Sequence, residues 1–552
     1  MSSTVTRNPV RKLAQSSAIM AMGTVVSRIT GFVRTAVIVY ALGTGAVADA
    51  FNTSNTLPNQ IHDLVLGGTM TSVILPMLVR ANKRDADGGL AYTQRLYTLL
   101  VLGLGGITAL AMIFASPIVG LYIGDVSPAQ QHLATLFALF FFPQVFFYGM
   151  NAYQSAVLNT RDRFGAPMWT PVINNIVVIA VGLTFMVITG GQMVTADSIS
   201  PLEIQILGIG TTGAIVLQTL ALMPAMRAVG FRWRPRFDFG KLGLREMGGM
   251  AGWTILYVVA TQVGLLITTR FANSAGEEAR EAGLNFGAGL TPYANAFQMF
   301  QLPYAIIAVS VITALLPRMS RNAADAEYGL VRDDFSNGLR VSAVLLVPAS
   351  FGMLVFGEPA GALLFGHGNA SSADGAFLGY VIQAFALGLL PFSAFQLLLR
   401  VFYSMKDTRT PALISFVNIA IGIGLNVTSS LVLPPRLIVP GLAIGYWLPY
   451  VVGSLIAWRV LSRRIGGLDG RRVVSTLVRL YIAGIPALIF GFAMTLTFEA
   501  VLGPGLVTSV LILVVGGGIG LLLYVLFAKK AGAGEVGTLV GMVKAKLPGR
   551  KA

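Results

Sequence analysis

The chain has 552 residues, 55% of them hydrophobic and 11% charged, with a mean hydropathy of +0.74. A soluble globular chain carries about 25% charged residues, so this one cannot cover itself with polar surface and reads as an all-α polytopic membrane protein. The formal net charge of +16 would suggest nucleic acid on a soluble protein; here basic cytoplasmic loops account for it, and no nucleic-acid partner is expected.

Residues 1–14 read as a basic cytoplasmic tail. The next apolar segment is too long and too polar in its middle for a signal peptide, so it reads as a retained span. Fourteen segments are long enough to cross a bilayer, at about 20 residues each. They cover 15–41, 47–79, 92–122, 129–157, 165–190, 204–226, 243–271, 284–317, 337–366, 375–404, 410–433, 440–460, 474–499 and 504–528. Pro58 and Pro303 fall inside the second and eighth, where kinks or breaks are expected. Basic clusters follow the even-numbered spans, among them Arg80, Lys83 and Arg84, then Arg463, Arg464, Arg471 and Arg472. The odd-numbered loops hold acids such as Asp125, Glu203 and Asp374. This bias places both termini in the cytoplasm. No loop is long enough for a soluble catalytic domain, so the chain reads as a transporter and not an enzyme.

An internal repeat is visible. The stretch from Val157 aligns with that from Val401 at an offset of 244, pairing Pro167 with Pro411. A second match pairs Pro76 with Pro317 and Arg80 with Arg321 at an offset of 241. The offset spans six helices, an even number, which implies two parallel six-helix lobes. The expected division is an N-lobe over 15–235, a C-lobe over 236–465, two further helices over 466–530 and a basic cytoplasmic tail over 531–552.

Span 1 carries Arg28 and Arg34 in "SRITGFVR", and an arginine at a helix centre costs about 2.5–3.5 kcal/mol to insert. Six residues separate them, about 120° and 9 Å on a helix, so both can reach one wide cavity. Snorkelling explains one of them at best. Two readings remain: pairing with a carboxylate, or binding an anionic ligand, to which arginine's planar fork is suited. The second is favoured because Asp49 and Asp63 are the only acids in the first two spans. Gly23 and Gly31 thin span 1 and let a neighbour approach. Span 2 holds an unusual polar load: Asp49, Asn52, Asn55, Asn59, His62 and Asp63. His62 reads either as a neutral hydrogen-bonded core residue or as a part-time positive charge beside the arginines. Arg270 ends span 7 and is a further cavity candidate, because span 7 repeats span 1. Arg400 lies close enough to the cytoplasmic end of span 10 to snorkel. There is no cysteine, the three histidines are far apart, and "GxxxxGK[ST]" does not occur, so neither a metal site nor ATP binding is expected.

The stretches "SRITGFVR" (Ser27 to Arg34), "ADAFNTSNTLPN" (Ala48 to Asn59), "FQLPYAIIAVSVITALLPRMSR" (Phe300 to Arg321) and "RVFYSMKDTRTP" (Arg400 to Pro411) resemble the lipid II flippases, the MurJ/MviN family of the MOP exporter superfamily. The resemblance implies two six-helix lobes around a central cavity, with the last two helices forming a groove for a lipid tail. It implies movement of the undecaprenyl-diphosphate-linked peptidoglycan precursor from the inner to the outer leaflet of the bacterial cell membrane by alternating access. The partners implied are lipid II, membrane lipids and proteins of cell-wall synthesis. Arg28 and Arg34 match the family's diphosphate-binding arginines, and Asp49 matches its aspartate on the second helix. Ser27, Asn52, Asn55, Asn59, His62 and Asn295 join them as cavity polar residues.

The sequence departs from the family at several places. Thr35 stands where an acid often follows the second arginine; His62 stands for an arginine; Gly67 and Gly68 replace an "EG" pair; Tyr293, Ala294, Asn295 and Ala296 replace "YADR". Two cavity cations are thereby lost, and His62 and Arg270 are the candidates to replace them. No cofactor is implied. Coupling to the membrane potential or to a monovalent cation stays open, although spans 11 and 12 hold no acid for a sodium site. The alternatives are a flippase for another polyprenyl-diphosphate glycan or a drug/cation antiporter of the same superfamily. An antiporter needs intramembrane carboxylates, and the cavity candidates here are mostly basic.

Overall fold

The computed structural model describes residues 9–67, 74–242 and 244–537, without side chains at 9–21, 241 and 244–254. The outer parts of both expected tails, 1–8 and 538–552, lie outside the described residues, as does Gly68. Among the described residues all regular structure is helical. The chain forms two compact units, residues 1–270 and 271–552.

Unit 1 runs through α1 (Pro9–Leu42), α2 (Ala46–His62), a π segment (Asp63–Gly67), α3 (Leu75–Arg84), α4 (Leu90–Ile113), α5 (Ala115–Ile123), α6 (Pro128–Phe141), α7 (Pro143–Thr160), α8 (Gly165–Ile188), α9 (Pro201–Leu220), α10 (Met223–Ala228) and most of α11 (Leu244–Glu281). Its core centres on Phe51 of α2, which meets Phe137 and Phe141 edge-on at 5.6 and 5.3 Å. Ser54 Oγ donates to the Ala134 carbonyl at 2.6 Å, which satisfies a hydroxyl inside an apolar layer and fixes α2 against α6.

Unit 2 continues with α12 (Leu290–Pro303), a second π segment (Tyr304–Ala308), α13 (Val309–Ala324), α14 (Tyr328–Phe365), α15 (Ser372–Ala386), α16 (Leu389–Ser404), α17 (Arg409–Val432), α18 (Pro435–Ile465), α19 (Gly470–Leu502), α20 (Leu506–Leu511), a third π segment (Ile512–Gly516) and α21 (Gly517–Lys530). Glycines let α14 and α15 touch backbone to backbone: a Cβ on Gly361 would sit 2.3 Å from the Gly375 carbonyl oxygen. α19 also packs on α14 through a glycine, Gly484, here against the Phe351 ring. Past α21, Glu535 pairs with the buried Arg340 of α14, and Arg479 donates to the Gly532 carbonyl at 3.1 Å.

Among the described residues twelve helices are long and apolar enough to cross a membrane, or thirteen if α15 and α16, bent by 47°, make one span. The expected count of fourteen is not reproduced. The segment expected over 47–79 comprises α2, the π segment and α3, and its residues 68–73 lie outside the described residues. The equivalent elements of unit 2, α12, the second π segment and α13, run together as one span over Leu290–Ala324.

Two backbone irregularities recur at the offsets read from the sequence. The π segments begin at Asp63 and Tyr304, 241 residues apart, as are Pro76 and Pro317. Asp162 and Lys406, 244 residues apart, both adopt the left-handed conformation, at φ 56° and 61°. A non-glycine residue rarely pays that steric cost, so its recurrence at the matching turn supports the repeat. Each π segment also follows a proline, Pro58 or Pro303, whose missing N–H leaves an upstream carbonyl unbonded.

Candidate functional site

α1 is held against α8 by small residues and one amide. A Cβ on Gly23 would lie 3.0 Å from the Trp169 indole nitrogen, and one on Gly31 would lie 3.5 Å from Asn175 Nδ2. Asn175 Nδ2 donates to the Ser27 carbonyl at 3.1 Å and to Thr30 Oγ1 at 3.0 Å. These bonds fix the rotation of α1. Ser27 therefore contributes through its backbone to the packing of α1.

Arg28 is exposed and Arg34 half-buried. Among the described residues neither has an ion-pair or hydrogen-bond partner. The carboxylates nearest in sequence are otherwise engaged. Asp49 is fully buried in the first turn of α2, where the helix N-terminus favours a negative charge. Asp63 Oδ1 lies 3.1 Å from His62 Nδ1.

What meets Arg34 is a tyrosine. Tyr148 of α7 interacts with it electrostatically. Asn59 Nδ2 donates to the Tyr148 hydroxyl at 3.5 Å, and the His62 ring lies 6.2 Å from the Tyr148 ring. Arg34, Asn59, His62 and Tyr148 thus form one polar cluster drawn from α1, α2 and α7. Asn52 and Asn55 are half-buried further up α2. A permanent cation flanked by an amide, a phenol and an imidazole, all part-accessible, can hold an oxyanion through charge-assisted hydrogen bonds.

Tyr148 is the member the sequence reading missed. It sits in "FFPQVFFYGM", where it looks like one more apolar ring. The signal available was the hydroxyl, which needs a partner inside a span.

Two further candidates have surroundings of their own. Arg270 Nη1 donates to the Gly120 carbonyl at 3.3 Å, and Nη2 lies 3.6 Å from Asp125, at the end of α5. Asn295 belongs to unit 2, where it is buried on α12 with Nδ2 unpartnered. Unit 2 also holds an apolar pocket of about 140 Å³ between α14, α19 and α21, lined by Phe351, Val355, Phe356, Leu488, Leu521 and Tyr524. It admits a few methylenes and no polar head.

The family model described as "Lipid II flippase MurJ" matches residues 38–516. The chain belongs to the MurJ lipid II flippase family. The resemblance read from the motifs is thereby borne out. A "Probable lipid II flippase MurJ" of Rhizobium meliloti is 28% identical over 461 residues, covering 82% of this chain and 81% of the relative. One of Haemophilus influenzae is 27% identical, covering 80% and 84%. Among solved structures, "Lipid II flippase MurJ, inward closed conformation" matches with a TM-score of 0.73 at 18% identity, covering 93% of this chain and 98% of that one. An inward-facing multidrug resistance MATE transporter of the MOP superfamily matches at 0.63 and 13% identity, covering 80% and 95%. The family's fold extends to both structures. The chain is a multi-pass membrane protein and a transporter.

Proposed function

We propose that this protein moves lipid II, an undecaprenyl-diphosphate-linked muropeptide, from the inner to the outer leaflet of the bacterial cell membrane by alternating access, with both termini in the cytoplasm. The observation that carries the reading is the pair Arg28 and Arg34, two permanent cations in a membrane helix with no carboxylate partner among the described residues. Arg34 and Arg28 hold the diphosphate, and Asn59, Tyr148 and the half-buried asparagines of α2 offer hydrogen bonds to the phosphate and sugar oxygens. Neutralising the diphosphate lowers the cost of carrying it through the low-dielectric core. The tail stays in lipid and rests on the apolar face of α14, α19 and α21, where the 140 Å³ pocket takes a few of its methylenes. Net negative charge moving outward is favoured by a potential that is positive outside, by about 2.3 kcal/mol per charge per 100 mV.

The test is selective binding by the detergent-solubilised full chain, read by native mass spectrometry. Lipid II and undecaprenyl diphosphate are expected to outcompete undecaprenyl monophosphate and phosphatidylglycerol. Equal binding of all four would overturn the head-group reading.

A further inference from the structure

The linker from α10 to α11 is strapped along the start of α4. Gln94 Nε2 donates to the Arg232 carbonyl at 2.7 Å, and Gln94 Oε1 accepts from Arg236 Nε at 2.9 Å. Thr98 Oγ1 accepts from the Trp233 indole N–H at 3.3 Å and from the Arg236 amide at 3.1 Å. Arg95 Nε donates to Asp238 at 2.8 Å, and Arg161 Nη1 donates to the Val229 carbonyl at 2.8 Å. Phe231 is buried, with its ring 5.3 Å from that of Tyr97. Directed bonds on this scale fix which side chains of the linker face outward.

The outward side chains are Arg232, Arg234 and Phe237, with the open part of Trp233 beside them. Phe237 is 68% exposed and Trp233 48%. Among the described residues the side chains of Arg232 and Arg234 have no ion-pair or hydrogen-bond partner. Asp238, the one acid between Val229 and Leu242, is taken by Arg95. Asp87, at the start of α4, accepts from the Gly89 and Ala91 amides. The height of the strip follows from its anchors. Gln94, Arg95 and Thr98 lie in the first three turns of α4, a 24-residue helix about 36 Å long against a hydrocarbon core of about 30 Å. The linker therefore rides where lipid head groups meet the first acyl carbons. Open rings are costly in water and favourable at that level, and arginines there meet lipid phosphates. A soluble acidic partner would answer the arginines and leave Trp233 and Phe237 unexplained.

We propose that the α10–α11 linker is a docking strip for anionic phospholipid: Arg232 and Arg234 take the phosphodiester groups of lipids in the facing leaflet, while Phe237 and Trp233 lie among their glycerol and first acyl carbons. The strip shares no residue with the cluster of Arg34, Asn59, His62 and Tyr148, and it does not depend on which substrate is carried. The linker is then held from two sides, by α4 and by lipid phosphates.

The chain has no cysteine, so a single labelling site can be introduced. Gly240 is exposed, and a Cβ there meets nothing within 4 Å. The full chain carrying Gly240→Cys, labelled with bimane, is reconstituted in phosphatidylcholine nanodiscs. A fixed minor fraction of the lipid is either phosphatidylglycerol or phosphatidylcholine brominated near the head-group end of its acyl chains, and quenching of the bimane is read. Brominated phosphatidylglycerol is expected to quench as if enriched about fivefold over its bulk fraction at low salt. Adding Arg232→Gln with Arg234→Gln is expected to bring the two lipids level. High salt is expected to do the same without any substitution, which keeps the test open if the double variant does not fold. Phe237→Ser is expected to weaken quenching by both lipids. Equal quenching by the two lipids before any arginine is changed would overturn the proposal, as would an enrichment that survives both the arginine substitutions and high salt. Absence of quenching by either lipid would place the strip in water and overturn it in favour of a soluble acidic partner.

Discussion

The two π segments, Asp63–Gly67 in unit 1 and Tyr304–Ala308 in unit 2, interrupt their helices at equivalent points of the repeat. Around the first stand Arg34, Asn59, His62 and Tyr148, all polar and part-accessible. Around the second the ring of Tyr304 packs on Phe392 at 4.7 Å, and Phe392 meets Phe300 and Tyr446 at 5.6 and 6.0 Å. Phe392 lies 244 residues from Tyr148, so a phenol in one unit answers a phenyl in the other. The basic residue of this second region, Arg400, stacks over the Tyr403 ring at 5.6 Å. The backbone break is shared and the chemistry is not. A broken helix supplies a place where carbonyls and side chains can reach a ligand; the residues around it decide whether it binds charge or packs rings.

If that contrast is right, substitutions in the two regions should fail in different ways. Phe300→Ala empties a fully buried site in the aromatic cluster. It is expected to cost about 3–5 kcal/mol of stability, read as a lowered Tm in detergent, with unchanged affinity for undecaprenyl diphosphate in the folded fraction. Arg34→Ala should show the reverse. It removes charge-assisted bonds worth about 1.5–3 kcal/mol, so affinity falls roughly 10- to 100-fold while Tm holds or rises. A large drop in Tm would instead make Arg34 a structural residue. Tyr148→Phe removes one hydroxyl and its bond to Asn59, and affinity is expected to weaken about fivefold, by about 1 kcal/mol. No change would take Tyr148 out of the site.

The smallest expected effect concerns the second equivalent pair of places, the left-handed turns at Asp162 and Lys406. Among the described residues only the turn in unit 2 has an adjacent carboxylate held by an arginine, Asp407 with Arg464 at 2.5 Å. Burial pushes Asp407 up, but hydrogen bonds from the Thr410 hydroxyl and backbone and from Arg464 outweigh it and hold the group below its ordinary 3.8. A lowered folded value means this stabilisation is present above pH 3.8 and is lost as the pH falls through the lowered value. Because Arg464 is 45% exposed, the contribution is held to about 0.2–1 kcal/mol. Asp407→Asn is expected to lower Tm by that small amount at pH 7 and by progressively less as the pH falls below 3.8.

The long apolar runs made most spans legible, since about 20 apolar residues have few other places to go in a chain this poor in charge. The segment over 47–79 contains residues outside the described ones, and its described part carries the polar residues that mark it as functional. Pro58 and Pro303 flagged the breaks, yet a π turn as the form of break lay beyond the sequence. Arg34 was visible as a charge out of place. Tyr148 was not, because its partner Asn59 comes from another helix and only packing of α2 against α7 brings them together. Arg270 was legible as a charge at the end of span 7, while its contact with Asp125 at 3.6 Å, distant in sequence, comes only with the fold.

The central claim is that the unpartnered arginines of α1 carry a diphosphate lipid across the membrane. It is tested most directly by depleting the native protein, supplying Arg28→Ala with Arg34→Ala, and measuring which leaflet holds lipid II with a reagent that cannot enter the cell. The account predicts that lipid II accumulates beyond the reagent's reach in the double variant, at normal protein levels, and becomes accessible again with the wild type. Full accessibility with the double variant would contradict it.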